Sequence, residues 1–323
     1  MSAVSPSILE RVAAIARAAG REILEVYAAG AVAPTAKADD SPLTAADLRS
    51  HRLIVQRLAE LTPELPVLSE ESAEVPFATR SQWPRYWLVD PLDGTREFLS
   101  RNGEFTVNIA LIEGHAPALG IVHVPVTDTT YGGLPGEGAW RERGGARAEP
   151  IHVAARSATP LRVVGSRSHR GDSLDAFLER SGAHELLAIG SSLKFCRVAE
   201  GAADVYPRLG PTSEWDTAAA HAVLLAAGGT VSALDGTPLA YNTRAGLLNP
   251  FFVAFGPRDR DWLALLRGRR TPCVKPSSFP PRARRSARPI AALSTTPTRQ
   301  ASRATWCARP CAAPASMAPK SRT

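Results

Sequence analysis

Apolar residues recur at Ile8, Val12, Ile15, Ala19, Ile23 and Val26. Steps of three and four predict an amphipathic helix from Ile8 to Tyr27. Gly30 to Ser41 is polar, with Lys37, Asp39 and Asp40, and reads as a loop or hairpin. A second helix is expected from Ala45 to Leu61, with Thr44 as its N-cap and Asp47 in the capping-box position. The pattern then changes to short apolar runs at Pro66–Ser72, Trp87–Val89, Phe105–Ile112 and Pro117–Val124. The last two flank Glu113-Gly114-His115-Ala116 and predict a hairpin. Tyr131 to Trp140 and Ile151 to Val153 are also β-rich. The first half therefore reads as helices over a mostly antiparallel sheet.

The second half alternates. Strands are predicted at Leu161–Gly165, Leu186–Ile189, Asp204–Tyr206, Gly229–Ser232 and Phe251–Phe255. Helices are predicted at Asp172–Ser181, Ser192–Glu200 and Glu214–Ala227. Such alternation predicts a smaller α/β layer. The expected organisation is an α+β domain over 1–155, an α/β domain over 156–266, and a tail over 267–323.

Charge changes the picture of the tail. The chain carries a formal net charge of +7, yet 13 of its 38 basic residues lie from Arg267 onward and no acidic residue follows Asp261. The body is left with 25 basic and 31 acidic residues. An acidic body argues against reading the whole chain as a nucleic-acid binder. The tail is rich in Pro, Ala, Ser, Thr and Arg, and is expected to be disordered. It could bind acidic lipid or nucleic acid, or be a non-native extension. Of four cysteines only Cys196 lies in the body, so no disulfide framework is expected and a reducing cytoplasm suits the chain. No apolar run is long enough for a transmembrane helix. Met1 to Arg11 has no secretory pattern.

Candidate chemistry gathers where apolar strands stop at carboxylates. Trp87-Leu88-Val89 leads into Asp90-Pro91-Leu92-Asp93-Gly94-Thr95, where Pro91 and Gly94 are expected to end the strand. Asp90 and Asp93 would repel across a tight turn, and a hard divalent cation relieves that. The alternative is an ordinary Asp-Gly turn. Val67-Leu68-Ser69 ends in Glu70-Glu71, which is either a solvated loop or a second set of ligands converging on the first. Asp47 and Asp216 could serve only as helix N-terminal charges. Neither a P-loop nor a G-x-S-x-G elbow is present.

Asp90-Pro-Leu-Asp-Gly-Thr-Arg-Glu-Phe98 resembles the signature of the inositol monophosphatase superfamily of Mg²⁺-dependent, lithium-sensitive phosphatases. Pro42-x-Thr44-x-x-Asp47, the Glu70-Glu71-Ser72 element and Trp215-Asp216 running to Gly228-Gly229 are similar to its other motifs. The resemblance spans about Ile8 to Phe255. It implies a layered αβαβα sandwich and two or three Mg²⁺ ions, held by Glu70, Asp90, Asp93, Asp216 and the Leu92 carbonyl. It also implies that Asp47 orients Thr95 toward an attacking water, with Glu70 among the catalytic residues.

Substrate choice rests on two stretches. Gly190 to Cys196 offers Ser192 and Lys194 at a strand-to-helix turn, a natural phosphate setting. Arg208 lies near the position where inositol monophosphatases carry a glutamate, and an arginine suits a second phosphate. Both cations could instead be surface charge. These stretches resemble the bisphosphate nucleotidase branch of the superfamily, which hydrolyses the 3′-phosphate of adenosine 3′,5′-bisphosphate; inositol monophosphatase is the alternative. Glu70, Leu92, Asp93, Gly94, Thr95, Ser192, Lys194, Arg208 and Asp216 are the expected substrate contacts. Ser166, Arg167, Ser168 and His169 are further candidates for the nucleotide pocket. The expected partner is a small nucleotide. Expected placement is the cytoplasm, with peripheral membrane association left open and sulfur metabolism implied by the resemblance. A different class of reading is a non-catalytic anion or lipid binder working through the tail.

Overall fold

A computed structural model describes residues 5–30, 35–36, 42–72, 74–166 and 172–267. The apolar stripe of the N-terminal segment winds into α1 (Pro6–Ala28) and is buried along one face. Pro6 opens this helix, where a missing N–H loses no bond. Two short strands, β1 (Thr35–Ala36) and β2 (Pro42–Leu43), pair antiparallel ahead of α2 (Ala45–Leu61).

The first sheet has seven strands lying side by side in chain order. They are β3 (Val67–Ser69), β4 (Arg85–Asp93), β5 (Thr106–Glu113), β6 (Ala116–Val124), β7 (Thr129–Leu134), β8 (Gly138–Arg143) and β9 (Glu149–Ile151). β3 runs parallel to β4, and every other pair is antiparallel. Helix α3 (Phe77–Arg80) lies in the connection from β3 to β4, and α4 (Thr95–Leu99) follows β4. The β-rich run from Tyr131 to Trp140 resolves into two strands, because Gly136, at φ 96°, lies in the turn between them.

The second sheet has the order β11 (His184–Ile189), β10 (Leu161–Ser166), β12 (Val205–Arg208), β14 (Phe252–Phe255), β13 (Thr230–Ala233). Its helices are α5 (Asp172–Ser181), α6 (Leu193–Ala199), α7 (Trp215–Ala226) and α8 (Trp262–Arg267).

Side-chain alternation stacks these elements. Trp87 and Val89 of β4 pack with α1 and α2, while Tyr86 and Leu88 pack with α6 and α7. In the second sheet Phe252 and Ala254 face α6 and α7, while Val163, Val205 and Val253 face α5 and α8. The result is the expected five-layer αβαβα sandwich. Strands covered on both faces need apolar residues at nearly every position, which is why β4 and β5 read as continuous runs. Each such buried side chain contributes about 2 kcal/mol.

Helices α6 and α7 form the middle layer, and the small residues of α7 match that place. A Cβ on Gly120 would lie 2.1 Å from the Ala219 carbonyl, and one on Gly133 would lie 2.4 Å from the Val223 Cα. Glycine at both points lets α7 lie directly on β6 and β7. No described helix is long and apolar enough to cross a membrane. Lys37, Asp39, Asp40, Arg167, Ser168, His169 and the tail beyond Arg267, with Cys273, Cys307 and Cys311, lie outside the described residues.

Candidate active site

Because β3 and β4 are parallel, their carboxylate-bearing ends fall at the same edge of the sheet. Ser69 pairs with Val89, and the Glu70 amide donates to the Val89 carbonyl at 3.1 Å. Strand β4 does not stop at Asp90 as its Pro91 suggests. It continues to Asp93 through a bulge: Asp90 pairs with Asn108 and Asp93 with Thr106, so one extra residue stands on β4. A bulge tolerates proline because its ladder bond is already missing. It also resets the alternation. Three residues apart on a regular strand, Asp90 and Asp93 would point to opposite faces. The extra residue returns Asp93 to the face of Asp90, which is the face toward α7.

Helix α7 presents Asp216 in its first turn. Thr212 Oγ1 and the Ser213 amide each donate to Asp216 Oδ2 at 2.8 Å. Oxygens of Glu70, Asp90 and Asp216 lie within 4.8 Å of one another. At an effective dielectric near 20, two charges at that separation repel by about 3 kcal/mol. Asp90 is 1% exposed, so burial adds to the cost. Burial, then Glu70, Asp93 and Asp216, push the Asp90 carboxyl well above the usual range. Burial and then Asp216 push Asp93 up to about 7, against Lys194. Burial likewise raises Asp216, against its hydrogen bonds from Thr212 and Ser213. A buried, oxygen-only, mutually repelling donor set fits a hard divalent cation.

Asp47 is held as a cap and also reaches this edge. Its Oδ2 accepts from the Thr44 amide at 2.8 Å and from Thr44 Oγ1 at 2.6 Å. Its Oδ1 lies 3.4 Å from Thr95 Oγ1, which is also 3.4 Å from the Leu92 carbonyl. The two sequence readings of Asp47 are thus compatible, one carboxylate oxygen serving each. Ser50 Oγ donates to the Pro91 carbonyl at 2.8 Å and ties α2 to the bulge. Gly94 turns the chain at φ 91°, a value that favours glycine, and so sets Thr95 at the start of α4.

Beside the carboxylates lies a cleft of about 300 Å³, lined by Asp93, Gly94, Thr95, Ser192, Lys194, Arg208 and Asp216 among others. That is the size of a small-ligand pocket. Ser166 also lines it. The Ser192 amide is not left for a ligand: it donates to Asp93 Oδ2, and the Ser192 hydroxyl donates to Asn108 Oδ1 at 2.8 Å. Lys194 is buried, donates from Nζ to the Ser191 carbonyl, and lies 5.6 Å from the centre of the Tyr206 ring. Burial lowers its pKa to about 8, against the charge of Asp93. Arg208 Nη2 donates to the Pro211 carbonyl.

Sequence reasoning passed over Thr106 and Asn108, whose side chains lie 3.4 and 3.2 Å from Asp93 Oδ2. Their signal was the polar pair inside the apolar run of β5. It also passed over Glu104, which accepts from the Gly190 amide at 2.8 Å and so holds the turn before α6.

The sequence profile described as the inositol monophosphatase family matches residues 7–264. The chain belongs to the inositol monophosphatase family. Among the members it resembles is the 3′(2′),5′-bisphosphate nucleotidase CysQ of Salmonella typhimurium, 51% identical over 246 residues, 76% of this chain and 98% of that protein. The protein of the same name from Escherichia coli strain K12 is 50% identical over the same shares. Among solved family structures, CysQ from Bacteroides thetaiotaomicron is 40% identical, with a TM-score of 0.68, covering 79% of this chain and 98% of that one. An inositol monophosphatase from Anabaena is 27% identical, with a TM-score of 0.63 and coverage of 81% and 94%. The family match ends within α8, so the basic tail lies outside it.

Proposed function

We propose that this chain is a Mg²⁺-dependent phosphatase that converts adenosine 3′,5′-bisphosphate to AMP and phosphate, and acts in the same way on its 5′-phosphosulfate analogue. The observation that carries the chemistry is the convergence of Glu70, Asp90 and Asp216 within 4.8 Å beside a cleft bordered by two cations. The substrate reading is supported by half-identity, over almost their whole length, to proteins named 3′(2′),5′-bisphosphate nucleotidase.

Glu70, Asp90, Asp93, Asp216 and the Leu92 carbonyl would hold two or three Mg²⁺ ions, with Glu71 acting through water. When bound, magnesium supplies positive charge that draws in phosphate and makes water more acidic. The protein's part is orientation. Asp47 Oδ1 accepts the Thr95 hydroxyl hydrogen, which leaves a Thr95 lone pair to accept from the attacking water. The open amides of Gly94 and Thr95 at the turn can bind phosphate oxygens. Lys194 and Arg208 would meet the second phosphate across the cleft, the contact an inositol ester lacks. The halves 1–155 and 156–266 then divide the work, the first bringing most carboxylates and the second Asp216 and the cations.

The test is phosphate release from adenosine 3′,5′-bisphosphate and inositol 1-phosphate, side by side, with Mg²⁺ or chelator. Mg²⁺-dependent preference for the nucleotide is expected. Preference for the inositol ester would keep the metal site and overturn the substrate, while release that survives in Asp93→Asn would overturn the metal site.

A further inference from the structure

Arg80 is 1% exposed, and the mechanism makes no use of it. A guanidinium that deep needs partners. Arg80 spends its fork on one loop: Nη1 donates to Asn242 Oδ1, and Nη2 to the Arg244 carbonyl at 3.1 Å and to the Ala245 carbonyl. Asn242 Nδ2 answers by donating to the Arg80 carbonyl at 2.6 Å. The clamp thus joins the connection that begins at Glu70 to a loop 162 residues further on.

That loop braces the start of α7. The Asn242 amide lies 3.0 and 2.9 Å from the two carboxylate oxygens of Glu214, which is fully buried. The Glu214 amide donates to the Leu247 carbonyl and the Asn249 amide to the Thr212 carbonyl, both at 2.8 Å. Asn249 Nδ2 donates to the Ser213 carbonyl at 2.7 Å. Thr212 and Ser213 are the two residues that donate to Asp216 Oδ2. Oδ2 accepts two hydrogen bonds, which orients the Asp216 carboxylate and leaves Oδ1 the less engaged oxygen.

We propose that Arg80 is a positioning residue for the cation site, fixing Asp216 through Asn242 and the 242–249 loop. This rests on the metal reading given above. Loss of a partner bonded directly to a metal ligand typically changes affinity by about 10- to 100-fold. Arg80 acts through the loop that holds Thr212 and Ser213, so its effect should be smaller. The fork geometry matters as well as the charge, because a lysine has no planar set of donors for three acceptors.

The experiment is direct Mn²⁺ binding to the full chain, followed by EPR without substrate, alongside thermal unfolding. Arg80→Lys is expected to weaken Mn²⁺ binding by about three- to tenfold, below the range for a direct partner of a ligand, in protein that is still folded. Asn242→Gly removes the acceptor for Nη1 while suiting φ 54°, and should weaken binding in the same way; it decides the matter if Arg80→Lys does not fold. Phe177→Leu, in the outer α5 layer, should lower the melting temperature and leave Mn²⁺ affinity at the wild-type value. Wild-type affinity in folded Asn242→Gly or Arg80→Lys, or equal weakening in Phe177→Leu, overturns the proposal. No Mn²⁺ binding by the wild-type chain would overturn the metal reading itself, and the proposal with it.

Discussion

Asp47 and Thr95 form a pair whose worth depends on which one donates. Oδ2 of Asp47 is fixed by Thr44, so Oδ1 is aimed at the Thr95 hydroxyl. Thr95→Ala should lower kcat by roughly 10²-fold, the scale of a lost proton-orienting group, and leave KM for the nucleotide nearly unchanged. Steady-state kinetics at saturating Mg²⁺ checks this, and a KM-only effect would remove Thr95 from the mechanism. Buried histidines set a different residue-scale behaviour. Burial lowers His123 to about 4 and His221 to about 3, against a value of 6.5 in the unfolded chain. Their folded pKa values are depressed, so the stability they contribute is present above pH 6.5 and is lost as pH falls toward 4 and then 3. Denaturant midpoints should fall across that window, and replacing His123 by a neutral residue should make the decline shallower. Local pattern at Glu70, Asp90, Asp93 and Asp216 left a solvated loop, a turn or a helix-end charge open, and the resemblance to the family's motifs is what singled them out as ligands. Nothing singled out Arg80 or Glu214, since each reads locally as ordinary surface charge and finds its partners in the distant 242–247 loop.

At the scale of elements, two features of the first sheet build the site. One is the parallel pairing of β3 with β4, and the other is the bulge that turns Asp93 to the face of Asp90. Neither could be read from β4 alone, because a bulge is a relation between β4 and β5. A proline one residue beyond an apolar run, as Pro91 stands after Val89-Asp90, gives the same local signal whether the strand ends or bulges. Contact between β6 and α7 is the second decisive packing. Gly120→Ala would place a Cβ 2.1 Å from the Ala219 backbone, where no side chain can swing away. Destabilisation of about 3 kcal/mol is expected, the upper part of the overpacking range. Because α7 carries Asp216, cation affinity should weaken with it. Equal melting temperatures for this variant and the wild type would mean that the helix is not seated as described. The boundaries of α2 and α7 were legible from caps and glycines, since those signals act within a few residues.

For the whole molecule, the family match ends at 264 and the described body at Arg267, while 13 basic residues lie from Arg267 onward. A chain ending at Arg267 should keep the kcat and Mg²⁺ dependence of the full chain, measured by phosphate release. A large loss of kcat would give the tail a catalytic part. By itself the sequence determined the longer helices and most of the strands, though not α3, α4, α8 or the division of Tyr131–Trp140 between β7 and β8, together with the acidic character of the body and the residue types of the site. These follow from local propensity and from the periodicity of burial, which neighbours in the chain are enough to express. Only the tertiary structure decided that β3 and β4 are parallel, that one extra residue turns Asp93 inward, and that Arg80 reaches Asn242. Those depend on which surfaces meet across long sequence separations, and such meetings are set by packing both faces of two sheets around one central helix layer.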